Sequence, residues 1–146
     1  MQPEAFVKQV DNERIVSAIR EAEARCRGEI RVHVTSQTVE DAERAAIAQF
    51  EKMGMTATKE RNGVLIFVAV KSQRFAVIGD SGIHEKCGPT FWNEIARAME
   101  TDFRAGRFTE GLVKGIRAAG DALATHFPRV EGAHDVDELS NEVSED

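Results

Sequence analysis

The sequence predicts an α/β protein with a mixed sheet. Three observations carry that prediction. Apolar residues recur at three- and four-residue spacing in several segments, and strict alternation marks Glu29 to Thr35. An unbroken β-branched and aromatic run, Val64-Leu65-Ile66-Phe67-Val68-Ala69-Val70, lies mid-chain. Strand, helix, strand, strand is too alternating for a helical bundle and too helical for a β-sandwich.

The elements follow in order. Asp11 is the expected N-cap of a helix to about Arg27, because Ile15, Val16, Ile19, Ala22 and Cys26 share one face and Gly28 follows. Pro3 to Val10 is expected to add a short turn of helix before it. In the alternating segment Ile30, Val32 and Val34 face inward and Glu29, Arg31, His33 and Thr35 outward, which predicts a half-buried strand near a sheet edge with His33 on its polar face. Thr38 followed by Asp41 reads as a capping box for a second helix with stripe Ala42, Ala46, Phe50 and Met53, closed by Gly54. Thr56 to Asn62 is a polar loop leading to Gly63.

The run Val64 to Val70 reads as a central strand buried on both faces. After the polar turn Lys71 to Gln73, Arg74 to Gly79 forms another strand, most simply as a hairpin with the first. Asp80 or Ser81 caps a short helix through Ile83 and Lys86, stopped by Gly88. Pro89 suits the first turn of a longer helix carrying Trp92, Ile95, Ala96, Met99 and Phe103, closed by Gly106. The last helix starts near Thr109, buries Leu112, Ile116, Ala119, Leu123 and Phe127, and ends at Pro128. Its Gly111, Gly115 and Gly120 weaken it intrinsically, which points to close approach of another backbone.

Length and composition set the class. With 146 residues and 42% hydrophobic content, residues 1–127 suffice for one domain with its own core. Residues 128–146 form an acidic tail, expected to be disordered; the alternative is a short helix from Asp135 to Val143 docking through Val136, Leu139 and Val143. That tail holds Glu131, Asp135, Asp137, Glu138, Glu142, Glu145 and Asp146 against Arg129, so it accounts for the whole net charge of −6. The body is formally neutral, which argues against nucleic acid as a partner.

The longest apolar run falls far short of the roughly 20 residues that a membrane helix needs, so no direct membrane insertion is expected. The N-terminus shows no basic-then-apolar secretory pattern, and the expected location is cytoplasmic. Cys26 and Cys87 have no metal-ligand spacing and read as reduced, mostly buried thiols, with a redox role for Cys87 beside Lys86 as the alternative. No pair of histidines has ligand spacing. Walker-type, Gly-x-Ser-x-Gly, Cys-x-x-Cys and dinucleotide motifs are absent.

The segment from Asn62 through Ile83 resembles the TPM domain, the family named for a thylakoid lumen protein, a photosystem II repair protein and an acetylcholine-receptor modulator. Gly28-Glu29-Ile30-Arg31-Val32 and Phe103-Arg104-Ala105-Gly106-Arg107-Phe108-Thr109-Glu110-Gly111-Leu112 extend the resemblance over about Asp11 to Phe127. It implies a Rossmann-like α/β/α sandwich around a short mixed sheet. It also implies kinship with acid phosphatases, calcium binders and proteins that assist membrane-protein complexes. Many members place an Asp before the Asn-Gly of the central strand and another acid after the hairpin, where they help hold a divalent cation. This chain has Arg61 at the first place and Pro89 or Thr90 near the second, which puts positive charge where Ca²⁺ or Mg²⁺ would sit.

The best local candidate site is Gly79-Asp80-Ser81-Gly82-Ile83-His84-Glu85-Lys86, where a strand end feeds a helix start. Arg61, Ser81, Gly82, His84 and Lys86 are the phosphate-binding candidates, and Asp80 and Glu85 the metal candidates, with Glu100 or Asp102 as further ligands. A phosphatase would use Asp80 as nucleophile or ligand and His84 as acid or base. The plainer reading makes Asp80 and Ser81 cap residues, His84 solvated and the glycines parts of a turn. Two functions follow: a non-catalytic binding or accessory module that engages a protein partner, such as a membrane-associated complex, or a divalent cation; and, as the alternative, a metal-assisted phosphatase of weak acid type.

Overall fold

The computed structural model describes residues 3–129 and 143–146. The elements run α1 (Pro3–Gln9), α2 (Asn12–Ala24), β1 (Glu29–Thr35), α3 (Ala42–Lys52), a 3-10 turn (Met55–Ala57), β2 (Gly63–Ala69), β3 (Arg74–Gly79), α4 (Ser81–Cys87), α5 (Phe91–Arg104), α6 (Phe108–His126) and β4 (Ser144–Glu145). The sheet order is β3-β2-β1-β4. β1 is parallel to β2 and to β4, whereas β2 and β3 form the expected antiparallel hairpin. Helices cover both faces, so the architecture is an α/β sandwich.

The two faces are unequal. On one, Ile30, Val32, Val34, Val64, Ile66 and Val68 meet α2, α5 and α6 in the larger core. On the other, Leu65, Phe67, Ala69 and Ala76 meet Ala46 and Phe50 of α3 and Met55 of the 3-10 turn. Every residue of β2 is buried, as a strand with helices on both sides must be.

Local chemistry sets the helix ends. Asp11 caps α2, its carboxylate accepting from the Arg14 amide at 3.2 Å. The helix stops at Ala24, short of Arg27, because Cys26 bridges to Pro128 and the Arg27 amide donates to the Phe127 carbonyl at 2.9 Å. Asp41 alone caps α3, accepting from the Arg44 amide at 3.1 Å; Thr38 is not the cap. Gly54, at φ 72°, takes the left-handed conformation that closes α3. α5 begins after Thr90, and Pro89 precedes its cap.

The α6 glycines do admit close neighbours, but mostly side chains. A Cβ at Gly111 would stand 2.5 Å from Phe103 Cε1, and one at Gly115 2.5 Å from Met99 Sδ, both on α5. Gly120 alone meets backbone as well, at Ala22 of α2.

β1 departs from the alternation reading. Glu29, His33 and Thr35 are buried, with exposures of only 3–4%. β1 lies inside the sheet: β2 pairs with one edge, and Ser144 and Glu145 pair with His33 and Val34 on the other. His33 Nδ1 shares a 2.8 Å hydrogen bond with Ser144 Oγ, its ring stacks on Phe67, and Asp146 Oδ1 lies 3.6 Å from Nε2. Thr35 Oγ1 donates to Asp146 at 2.9 Å. Thus residues 144–146 belong to the sheet, while the expected disorder elsewhere in the tail and the alternative helix fall largely on residues 130–142, outside the described residues. Both cysteines are free thiols: Cys26 is fully buried, and burial pushes the Cys87 thiol up, away from the reactive thiolate.

Candidate functional site

The junction between β3 and α4 is where the sequence-derived candidates fall. Asp80 ends the hairpin, its amide donating to the Gly63 carbonyl at 2.8 Å, and it caps α4. Its carboxylate is nearly buried and fully engaged. Arg61 grips it through two parallel bonds, Nε to Oδ2 at 2.7 Å and NH2 to Oδ1 at 2.9 Å, while the Ser81 amide donates to Oδ1 at 2.7 Å. The guanidinium supplies the countercharge that a cation would otherwise bring.

Arg61 pays for that position locally with a left-handed backbone, φ 51°. Such a conformation costs a side-chain-bearing residue on the order of 1 kcal/mol and persists only where its surroundings enforce it. Here the Arg61 carbonyl accepts from the amides of Gly82 at 2.7 Å and Ile83 at 3.3 Å. Gly82 is required at this spot, since a Cβ would collide with the Glu60 carbonyl. The α4 amides expected to face a ligand therefore donate to Asp80 and Arg61.

His84 lies on the exposed side of α4, and its Nδ1 accepts from Trp92 Nε1 at 3.0 Å. Because indole N–H can only donate, that nitrogen carries no proton in this arrangement. Trp92 itself is core, as its place in the helical stripe predicts, and its ring lies over Gly79, where a Cβ would collide. Ser81, Glu85 and Lys86 are exposed on α4.

Acids that a hard cation would need are drawn into ion pairs. Asp102 is held by Lys114 at 2.8 Å and Arg107 at 2.9 Å, which keep its carboxyl below the usual carboxylate range, and Glu100 pairs with Arg104. Among the described residues no group of three or more His, Cys, Asp or Glu side chains gathers to hold a metal ion. Of the acids named for a cation, Asp80 is engaged by Arg61, Asp102 by Arg107 and Lys114, and Glu100 by Arg104, which does not suit a Ca²⁺ or Mg²⁺ site.

Sequence reasoning missed the cleft beside this junction. It has a volume of about 460 Å³ and runs along β3 between α3 and α5. Glu43, Ile47 and Glu51 form its α3 wall, Trp92, Asn93 and Ala96 its α5 wall, and Arg61, Asp80 and His84 its closed end. Ile47 is 48% exposed, the one large hydrophobic exposed among the described residues. The signal was present in the sequence: Ile47 lies off the Ala42-Ala46-Phe50 stripe, flanked at helical spacing by Glu43 and Glu51.

A two-faced sandwich over a four-stranded mixed sheet, with this junction, defines a small α/β domain, and comparisons place it in a family. The chain belongs to the TPM domain family, whose sequence model matches residues 1–122. A similar solved structure is the NMR structure of BA42 protein from the psychrophilic bacterium Bizionia argentinensis, at 40% identity and a TM-score of 0.82 over 94% of this chain and 96% of that one. None of the curated proteins compared with it matches. No helix of the described residues is long and apolar enough to cross a membrane.

Proposed function

We propose that this chain is a non-catalytic binding module of TPM type that engages a protein partner through the cleft along β3. The observation that carries the reading is the commitment of Asp80 to Arg61 beside an accessible apolar residue, Ile47. Asp80 is the nucleophile or ligand a phosphatase would need, and here it is an ion-paired helix cap. His84 Nδ1 is likewise engaged by Trp92. A surface with one exposed aliphatic side chain over a concave floor is suited to burying a partner's side chain.

The competing reading, a metal-assisted phosphatase, requires the Arg61–Asp80 pair to open so that phosphate takes Arg61 and a cation takes Asp80 with Glu85. One assay separates the two. Purified protein with Mg²⁺ or Ca²⁺ and a generic phosphoester is expected to show no turnover above buffer. Turnover that Asp80→Ala abolishes, in a variant that still folds, would replace the binding reading with the phosphatase. In parallel, peptides selected from a phage-displayed library are expected to shift amide resonances of the cleft, and Ile47→Asp to remove those shifts in a variant that still folds.

A further inference from the structure

Strand β3 is an edge of the sheet, and among the described residues nothing pairs with its outer side. The register puts Leu65 opposite Ile78 and Phe67 opposite Ala76, and the Asp80 amide bonds to the Gly63 carbonyl. In an antiparallel pair, hydrogen-bonded positions alternate. Positions 80, 78, 76 and 74 therefore bond inward, and the N–H and C=O groups of Phe75, Val77 and Gly79 point outward. These outward groups line the cleft floor, because Phe75 through Asp80 all border it.

The α3 wall sets what can lie there. α3 follows β1 and leads back to the parallel β2, so it runs against both and along β3. Its cleft-facing residues Glu43, Ile47 and Glu51 recur every four positions, a rise of about 6 Å per step. Alternate residues of an extended strand repeat at about 6.6 Å. A strand laid on β3 thus presents three successive same-face side chains to Glu43, Ile47 and Glu51 in step. Neither glutamate has an ion-pair partner among the described residues, and at the closed end Arg61 is already neutralised by Asp80.

Resting on the partner-binding reading above, we infer that the β3 edge takes up an extended peptide of another protein by strand addition, with the pattern basic-x-apolar-x-basic facing α3. Main-chain bonds to Phe75, Val77 and Gly79 supply affinity, and the acidic-apolar-acidic wall supplies selectivity. A second copy is disfavoured, because antiparallel pairing of two β3 edges brings Glu43 of one toward Glu51 of the other. The chain's own residues 130–142 are disfavoured too: they contain five acids and no Lys or Arg.

The test uses the full chain, ¹⁵N-labelled, with synthetic peptides selected from a random linear phage library. Selected peptides are expected to carry the basic-x-apolar-x-basic pattern and to slow amide exchange at Phe75, Val77 and Gly79. The double variant Glu43→Lys, Glu51→Lys is expected to weaken them by about tenfold or more, with the loss easing at high salt. The melting temperature should move little, since the changes in the first and last turns of α3 act oppositely on its helix dipole and neither glutamate has an ion-pair partner among the described residues. Peptides that shift cleft resonances without protecting those amides overturn strand addition, and peptides that protect them but lack basic flanks overturn the basic-x-apolar-x-basic pattern; both leave the binding reading standing. A selection that yields nothing at the cleft overturns both. Concentration-dependent dimerisation that protects the same amides assigns the edge to a second copy and overturns the peptide assignment.

Discussion

Asp80 shows how one side chain is decided by its neighbours. In the sequence it is an acid between a strand and a helix, equally suited to capping, catalysis or cation binding. In the structure, a bidentate guanidinium and the Ser81 amide use both its oxygens. Asp80→Asn should keep part of the cap but lose the charge pair. Because Arg61 is 49% exposed, solvent screens the pair, and the expected effect is a modest lowering of the urea midpoint. An unchanged midpoint would mean that the pair does not hold the Arg61 loop. His33 makes a pH prediction. Burial lowers its proton affinity, with Asp146 opposing and Arg31 and Lys52 adding to the lowering. The folded protein therefore keeps His33 neutral at pH values where the unfolded chain, at its ordinary 6.5, takes up a proton. The unfolded state binds more protons there, so stability declines as pH falls below 6.5 and levels once folded His33 also protonates. His33→Gln should flatten that decline in chemical melts between about pH 7 and 5; an unchanged slope would assign it to other groups.

At the scale of elements, β1 and β4 carry the main surprise. Alternation in β1 predicts one wet face, and nothing in the sequence around it shows that Ser144–Asp146 returns from far along the chain to shelter His33 and Thr35. The last element is too short to announce itself, since two paired residues give no periodicity. Deleting residues 143–146 is expected to leave the remaining fold intact but to expose the β1 edge and deprive His33 and Thr35 of Ser144 and Asp146. The cost should be about 1–3 kcal/mol, with faster amide exchange confined to β1. Uniform acceleration across the sheet would instead make β4 part of the global core. Helix boundaries behaved more simply: Asp11, Gly54, Gly88 and Gly106 act locally, so their roles were legible. The α6 glycines were legible as close contacts but not as contacts with Phe103 and Met99, because no local signal names a partner helix.

At the scale of the whole molecule, charge is segregated. The body is formally balanced and the acids of residues 131–146 supply the excess. Replacing Glu131, Asp135, Asp137, Glu138 and Glu142 by their amides, with Ser144–Asp146 kept, should therefore bring the net charge from −6 close to zero and lower solubility near neutral pH, measured by the precipitant concentration at half-precipitation. Equal solubility would show that the tail's charge is not what keeps the body dispersed. The same balance explains why net charge said nothing about the cleft, whose selectivity rests on two glutamates of α3.

The amino-acid sequence by itself determined the order of helices and strands through α6, the buried central strand, the hairpin, most helix ends and the family, because period, β-branching and glycine punctuation act over a few residues. Only the tertiary structure decided that Arg61 and Asp80 neutralise each other across an interval of 19 residues, that Ser144–Asp146 closes the β1 edge, and that Ile47 stands over an open strand. Those outcomes depend on which distant surfaces meet, and contact at long range leaves no periodic trace in either partner.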